Sequence, residues 1–184
     1  NGLPLYAGSA QTHHAVLALA MDPSNRNVLY AAANPYFDNS AFAGNVYKTT
    51  DGGASWTVAG TGLAGQDIRA LLIDPDNTLR IYAASGGSAL NPGGVFVSED
   101  GGASWNSISA GLPLTSATAL ALDSSTPATP TLYAGSRTGV YAYKHGWPAW
   151  ATFPTIGYGP DQWVLGVIPV DGTAKYVVQP AVVL

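Results

Sequence analysis

The sequence predicts an all-β protein built from repeated units of four short antiparallel strands. Three observations carry this. The hexapeptide Asp51-Gly52-Gly53-Ala54-Ser55-Trp56 recurs 49 residues on, as Asp100-Gly101-Gly102-Ala103-Ser104-Trp105. Short apolar segments alternate with Gly, Pro, Asn and Ser at spacings of about 8–12 residues, the pattern of strands joined by tight turns. No window of about 11 residues keeps a helical period. Composition agrees: the 184 residues include 22 Gly and 13 Pro, and charged residues make up 10%. An ordinary soluble domain carries about 25%.

The elements follow from the repeat. Unit one covers roughly residues 2–61. It runs from Leu17-Ala18-Leu19-Ala20-Met21-Asp22 through a polar turn to Leu29-Tyr30-Ala31, then to Val46-Tyr47-Lys48 and the hexapeptide. Unit two covers 62–110, with strands expected near Ile68–Ile73, Arg80–Ala84, Gly94–Ser98 and Trp105–Ile108. Unit three covers 111–158. There Ala119–Asp123, Leu132-Tyr133-Ala134 and Val140-Tyr141 match their predecessors. The hexapeptide survives in worn form, with His145-Gly146 at the place of Asp51-Gly52 and Trp150 at the place of Trp56. Residues 159–184 read as half a unit, two apolar runs about an Asp171-Gly172 turn. The whole is expected to be one domain.

A repeat of about 40–50 residues holding four strands is the signature of a β-propeller blade. Closed propellers need at least four blades, and about three and a half units are visible. Three outcomes are open. The ring is completed by a homo-oligomer, or the chain is part of a larger protein, or it closes irregularly. The chain opens at Asn1 and its one Met is Met21, which suits a processed product or a piece of something longer.

The hexapeptides and their flanks resemble the Asp-box (BNR) repeat, Ser/Thr-x-Asp-x-Gly-x-x-Trp. Thr49 to Trp56 fits it, as does Ser98 to Trp105. Propellers of that kind include sialidases, glycoside hydrolases of family 74, sortilin-type receptors, photosystem II assembly factors and some lectins. The resemblance implies a fold and not a function. Asp followed by Gly-Gly is a hairpin turn that supplies positive φ cheaply. The carboxylate accepts backbone N–H groups of its own turn, and Trp anchors the turn in the blade. Asp51, Gly53, Trp56, Asp100, Gly102, Trp105 and Trp150 are therefore read as structural.

Several classes are excluded or disfavoured. The net charge is −4 with seven Lys plus Arg and no basic run, which disfavours nucleic-acid binding. No apolar run approaches the roughly 18 residues of a membrane-spanning helix. Cysteine is absent, so disulfides and thiolate chemistry are ruled out. No metal site or cofactor is expected. Adjacent His13 and His14 point to opposite faces of a strand and cannot share a metal.

Glycoside hydrolysis needs two carboxylates flanking the bond. Most of the eleven acids have a place in the repeat, and Glu99 is the only glutamate. Asp67 and Asp161 each precede an expected strand and are the two weak catalytic candidates. The arginine set of a sialidase is not matched by Arg26, Arg69, Arg80 and Arg137. Function in repeat proteins concentrates where units differ. One difference is the Asn34–Gly44 insertion, which carries Tyr36, Phe37 and Phe42. Another is Trp147-Pro148-Ala149-Trp150, with Trp163 further on. Tyr36, Phe37, Phe42, Trp147 and Trp163 are the binding candidates.

Three function classes result. The first is a non-catalytic, extracellular module recognising a glycan or protein partner through its loops. The second is a structural subunit of an extracellular assembly packed edge to edge, favoured by low charge and the apolar stretch Val177–Leu184. The third is a fragment of a carbohydrate-active hydrolase.

Overall fold

The computed structural model describes residues 3, 14–35, 45–87, 92–112, 116–152, 162–170 and 173–180. They are all-β, with no helix among them. The first sheet holds β1 (His14–Met21), β2 (Leu29–Pro35), β3 (Asn45–Thr49) and β4 (Thr57–Val58). The second holds β5 (Ile68–Asp74), β6 (Asn77–Ser85), β7 (Gly94–Ser98) and β8 (Asn106–Ser107). The third holds β9 (Ala119–Asp123), β10 (Thr131–Ser136), β11 (Gly139–Lys144) and β12 (Ala151–Thr152). β13 (Gln162–Val170) and β14 (Thr173–Pro180) pair as a hairpin. Each strand pairs antiparallel with its neighbour in sequence, so every sheet is a blade-like meander.

The strands of unit two fall where the repeat predicts, with two shifts at the ends. β6 starts at Asn77 because Asp74 pairs directly with Asn77 across a tight turn. Asp74 holds that turn by accepting the Asp76 N–H at 3.0 Å. Asp22 and Asp123 do the same one blade earlier and one later, accepting from Ser24 at 2.8 Å and Ser125 at 3.0 Å. β8 starts at Asn106, leaving Trp105 just outside the strand.

Successive blades stack through their first strands, β1 beside β5, β5 beside β9, and β9 beside β13. Between blades one and two lies a core of Tyr30, Ala32, Val46, Ile68, Ile81, Ala83, Phe96 and Trp105. Between blades two and three lies another, of Tyr82, Ala84, Val95, Leu132, Ala134, Tyr141 and Trp150. Alternation in the pleat explains the division. On β6, Ile81 and Ala83 face backward while Tyr82 and Ala84 face forward. A blade buried on both faces reads as continuous apolar sequence, which is why the segments carry little charge. The alanines Ala32, Ala33, Ala83 and Ala84 are fully buried, and their small side chains let the blades approach closely.

The hexapeptide turns share one hydrogen-bond plan. The Thr49 hydroxyl donates to Asp51 at 2.7 Å and accepts the Gly53 N–H at 3.0 Å. Asp51 also accepts the Ser55 N–H at 2.9 Å. Ser98, Asp100, Gly102 and Ser104 repeat this at 2.7, 2.8 and 2.9 Å. Gly53 and Gly102 sit at φ of 97° and 89°, a region that favours glycine.

Trp105 then reaches back to blade one. Its indole N–H donates to the Ala59 carbonyl at 3.1 Å, and its backbone N–H donates to Thr61 at 3.0 Å. Thr61 and Ser104 form a parallel bridge across the same seam. The contact is so close that a Cβ on Gly60 would collide with the carbonyl oxygens of Gly102 and Ala103. Trp150 repeats the arrangement one blade on, donating to Ile108 at 2.6 Å and Ala110 at 3.2 Å.

Two outcomes follow. Trp105→Phe keeps most of the ring but strands the buried Ala59 carbonyl, costing about 1–3 kcal/mol in urea unfolding. Trp105→Ala adds a cavity and costs about 3–5 kcal/mol. The second outcome concerns acid. The Ser104 hydroxyl and N–H and the Ser98 hydroxyl hold the Asp100 carboxyl down at about 2. An unfolded chain titrates it near 3.9. A depressed carboxylate stabilises above its unfolded value, and that contribution is lost as pH falls through the folded one. Melting temperatures should drop between about pH 4 and pH 2, and Asp100→Asn should flatten that drop.

Candidate interaction cleft at the mouth of the blades

The described residues form a cleft of about 540 Å³ at the end where the first strands of the blades begin. Leu17 of β1, Arg69 of β5 and Thr118 ahead of β9 line it. So do Asp67, Ser116, the Gly86-Gly87 turn after β6, and Arg137 in the β10–β11 turn. Three successive blades therefore contribute to one concavity.

Its most organised feature is an ion pair. Arg69 places Nε at 2.7 Å and Nη2 at 2.6 Å from the same Asp67 carboxylate oxygen. Asp67 directly precedes β5, and Arg69 stands at the irregularity in the β5–β6 register between Ile68 and Ala70. The Gly86 N–H donates to the Asp67 carbonyl at 2.8 Å. A Cβ on Gly86 would lie 3.1 Å from the carboxylate and 3.3 Å from Arg69 Cγ. Glycine there makes room for the pair. The Asp67 side chain is 15% exposed and that of Arg69 is 49% exposed, so the guanidinium faces water while its counter-ion is shielded.

The expected site residues separate as follows. Asp67 lies in the cleft. Asp161, Tyr36, Phe37 and Phe42 lie outside the described residues. Trp163 is on β13, with its side chain outside the described set. Trp147 is exposed, as expected, but it is not among the lining residues of the cleft. It sits on blade three with the Lys144 ammonium 5.7 Å from its ring centre. Asp51, Gly53, Asp100 and Gly102 build turns, and Trp105 and Trp150 anchor blades. Trp56 is half-buried. Among the described residues no cluster of three or more His, Asp or Glu is arranged to hold a metal. Among the same residues no helix is long and apolar enough to cross a membrane.

Sequence reasoning passes over Arg69 and Arg137, because each is a single cation with no counterpart in other units. The Asp67-x-Arg69 spacing is the signal that points to the pair. It also passes over a second cluster. Arg80 bridges Asp74 at 3.2 Å and Glu99 at 3.0 Å, and His145 from blade three stands 3.7 Å from Glu99. His145 is thus more than a worn turn residue; it meets blade two.

Fold and cleft together define a β-propeller-type array of blades with a polar mouth. No family model matches the chain, and no curated protein matches it. Solved structures do. The chain is similar to an ancestral GH74 enzyme, with a TM-score of 0.60 and 24% identity, over 77% of this chain and 19% of that one. It is similar to the GH74 enzyme of Niastella koreensis, with a TM-score of 0.59 and 20% identity, over 83% of this chain and 24% of that one. A structure of YCF48 bound to D1 peptide gives a TM-score of 0.53 and 13% identity, over 90% and 46%. All are β-propeller proteins, and at these identities the likeness is one of fold. The chain spans less than half the length of each.

Asp67→Asn should release Arg69 with little effect on stability. The pair is partly exposed, so the loss should stay below about 1 kcal/mol in thermal unfolding.

Proposed function

We propose that this chain is a non-catalytic, propeller-type interaction module carrying Asp-box turns, and that its mouth cleft takes an acidic segment of a protein partner. The observation that carries this is the pairing of Asp67 with Arg69. The Asp67 carboxylate is engaged by the Arg69 guanidinium at 2.6 Å and serves as its counter-ion. The pair holds Arg69 at the cleft that Arg137 also lines, with Ser116 and Thr118 as further polar lining. Two guanidiniums lining one concavity make it attractive to an acidic group.

A protein partner is favoured over a glycan by the lining itself. Sugar sites offer flat aromatic faces, whereas the described lining here holds Leu17 as its one large apolar side chain. The fold is compatible with such use, since YCF48 has been captured with a peptide.

Peptide arrays graded in Asp and Glu content test the proposal. Binding should rise with acidity and weaken with salt. Arg137→Glu should reduce it about tenfold, a difference of about 1.4 kcal/mol. Equal binding to neutral and acidic peptides, or an unchanged Arg137→Glu variant, would sink the idea.

A further inference from the structure

Blade three carries a second concavity, which shares no described lining residue with the mouth cleft. It holds about 300 Å³ and is lined by Asp123, Thr131, Ala142, Lys144 and Trp147, with Ser and Thr side chains of the 125–129 turn. Register explains the space. Ala142 stands opposite Tyr133, where blades one and two carry the bulkier Lys48 opposite Tyr30 and Val97 opposite Tyr82. The turn between the first two strands differs as well. On blade two Asp74 pairs directly with Asn77, whereas residues 124–130 separate β9 from β10 on blade three. Function in repeat proteins concentrates at such differences.

The walls carry their own supports. Asp123 accepts the Ser125 N–H at 3.0 Å, and the Thr129 N–H donates to the Thr126 carbonyl at 2.9 Å. Pro130, which closes that turn, is fully buried. On the other side the Trp147 N–H donates to the Lys144 carbonyl at 2.8 Å. The Trp147 side chain is exposed, with the Lys144 ammonium 5.7 Å from its ring centre. The backbone N–H and the hydroxyl of Ser125, and after them the Lys144 charge, hold the Asp123 carboxyl below its usual range. One cavity thus offers a carboxylate, an ammonium, several hydroxyls and an indole.

We propose that this cavity binds one uncharged pyranose ring of a saccharide, with a C–H face of the ring on Trp147 and neighbouring hydroxyls shared between Asp123 and Lys144. Each wall argues for that class. The negative face of an indole attracts the weakly positive C–H groups of a sugar ring. A carboxylate and an ammonium in one cavity supply the acceptor and the donor that a pair of adjacent hydroxyls needs. Their opposite charges disfavour an ion, since an anion meets Asp123 and a cation meets Lys144. An apolar ligand would take both charges out of water without hydrogen bonds to replace it. The volume is at the lower end of the range for ligand sites, about 300–1,000 Å³, which suits a single ring. The flexible four-carbon stem of Lys144 lets its ammonium leave the indole for a sugar oxygen.

Simple glycosides test this on the full chain. The probes are the neutral methyl glucoside, galactoside and mannoside, with glucuronate and glucosamine as charged counterparts. In amide and indole NMR spectra at least one neutral glycoside should shift, saturably, the Trp147 indole signal and the Thr129 and Thr131 amides. Trp147→Ala should weaken that binding at least tenfold, and Trp147→Phe by less. Trp147 is exposed, so both variants fold, which circular dichroism checks. Asp123→Asn keeps an acceptor for the Ser125 N–H but removes the charge, and should weaken binding several-fold. Arg137→Glu should bind the sugar as the unaltered chain does, which separates this site from the acidic-peptide reading. No shift with any neutral glycoside overturns the proposal. So does affinity retained in Trp147→Ala, a set of shifts confined to other blades, or tighter binding of either charged sugar.

Discussion

One hydrogen bond organises the described part of this molecule: the indole N–H of a turn tryptophan given to a backbone carbonyl of the preceding blade. It occurs from Trp105 to Ala59 and from Trp150 to Ile108, between donors 45 and acceptors 49 residues apart. A blade alone is a small meander with two apolar faces and cannot keep either from water. The tryptophan closes the seam between two such blades. Its ring enters the shared core, while its N–H satisfies a carbonyl that the short outer strand leaves unpaired. Burying such a carbonyl without a partner costs about 1–3 kcal/mol, so the bond fixes the offset of one blade on the next. The alanines at the middle of the second strands permit that offset, because bulkier side chains would hold the blades apart.

The worn turn of blade three separates what this anchor needs from what it does not. Tyr143 stands at the position of Thr49 and Ser98, and His145 at that of Asp51 and Asp100. The hydroxyl-carboxylate loop is thereby lost. The backbone still closes, because His145 N–H donates to Pro130 as Gly101 donates to Leu79. Tyr143 packs against Trp150 with ring centres 5.2 Å apart. The carboxylate therefore shapes the turn, and the tryptophan attaches it. Where the first is missing, an aromatic neighbour and an inter-blade contact to Glu99 take its place.

The fold was legible because every part of it repeats. The interval from Trp56 to Trp105, the apolar second strands and the strand-end aspartates each appear at least twice, and a pattern seen twice overrides weak local propensity. The site was legible only in part, for the same reason inverted. Asp67 stood out as an acid without a place in the repeat. Arg69, two residues away, was the readable half of the pair. Gly86, whose missing side chain admits both, could not be inferred, since it acts across a strand pairing rather than along the chain. Arg137 reaches the cleft from a different blade, and nothing in linear spacing joins it to Asp67. Arg80 was hidden in another way. Its counterparts are apolar or uncharged, yet it is 13% exposed and tied to the fully buried Asp74, so it is part of a blade interface.

These two uses of arginine show how position in a blade decides the role of a charge. Arg80 lies mid-blade between Asp74 and Glu99, where low dielectric demands that its charge be met on the spot. Each of its guanidinium nitrogens meets one of the protein's own groups, Glu99, Asp74 or His145. Arg69 lies at the first residues of an inner strand, at the rim, with its counter-ion shielded and its own guanidinium half in water. The same chemical pair is then a support that presents a cation. Because inner strands of successive blades begin side by side, residues at that rim converge although they are far apart in sequence. The axial stacking set by the tryptophan seam therefore also assembles the cleft, and loosening the seam should cost the cleft its shape before it costs any single blade its strands.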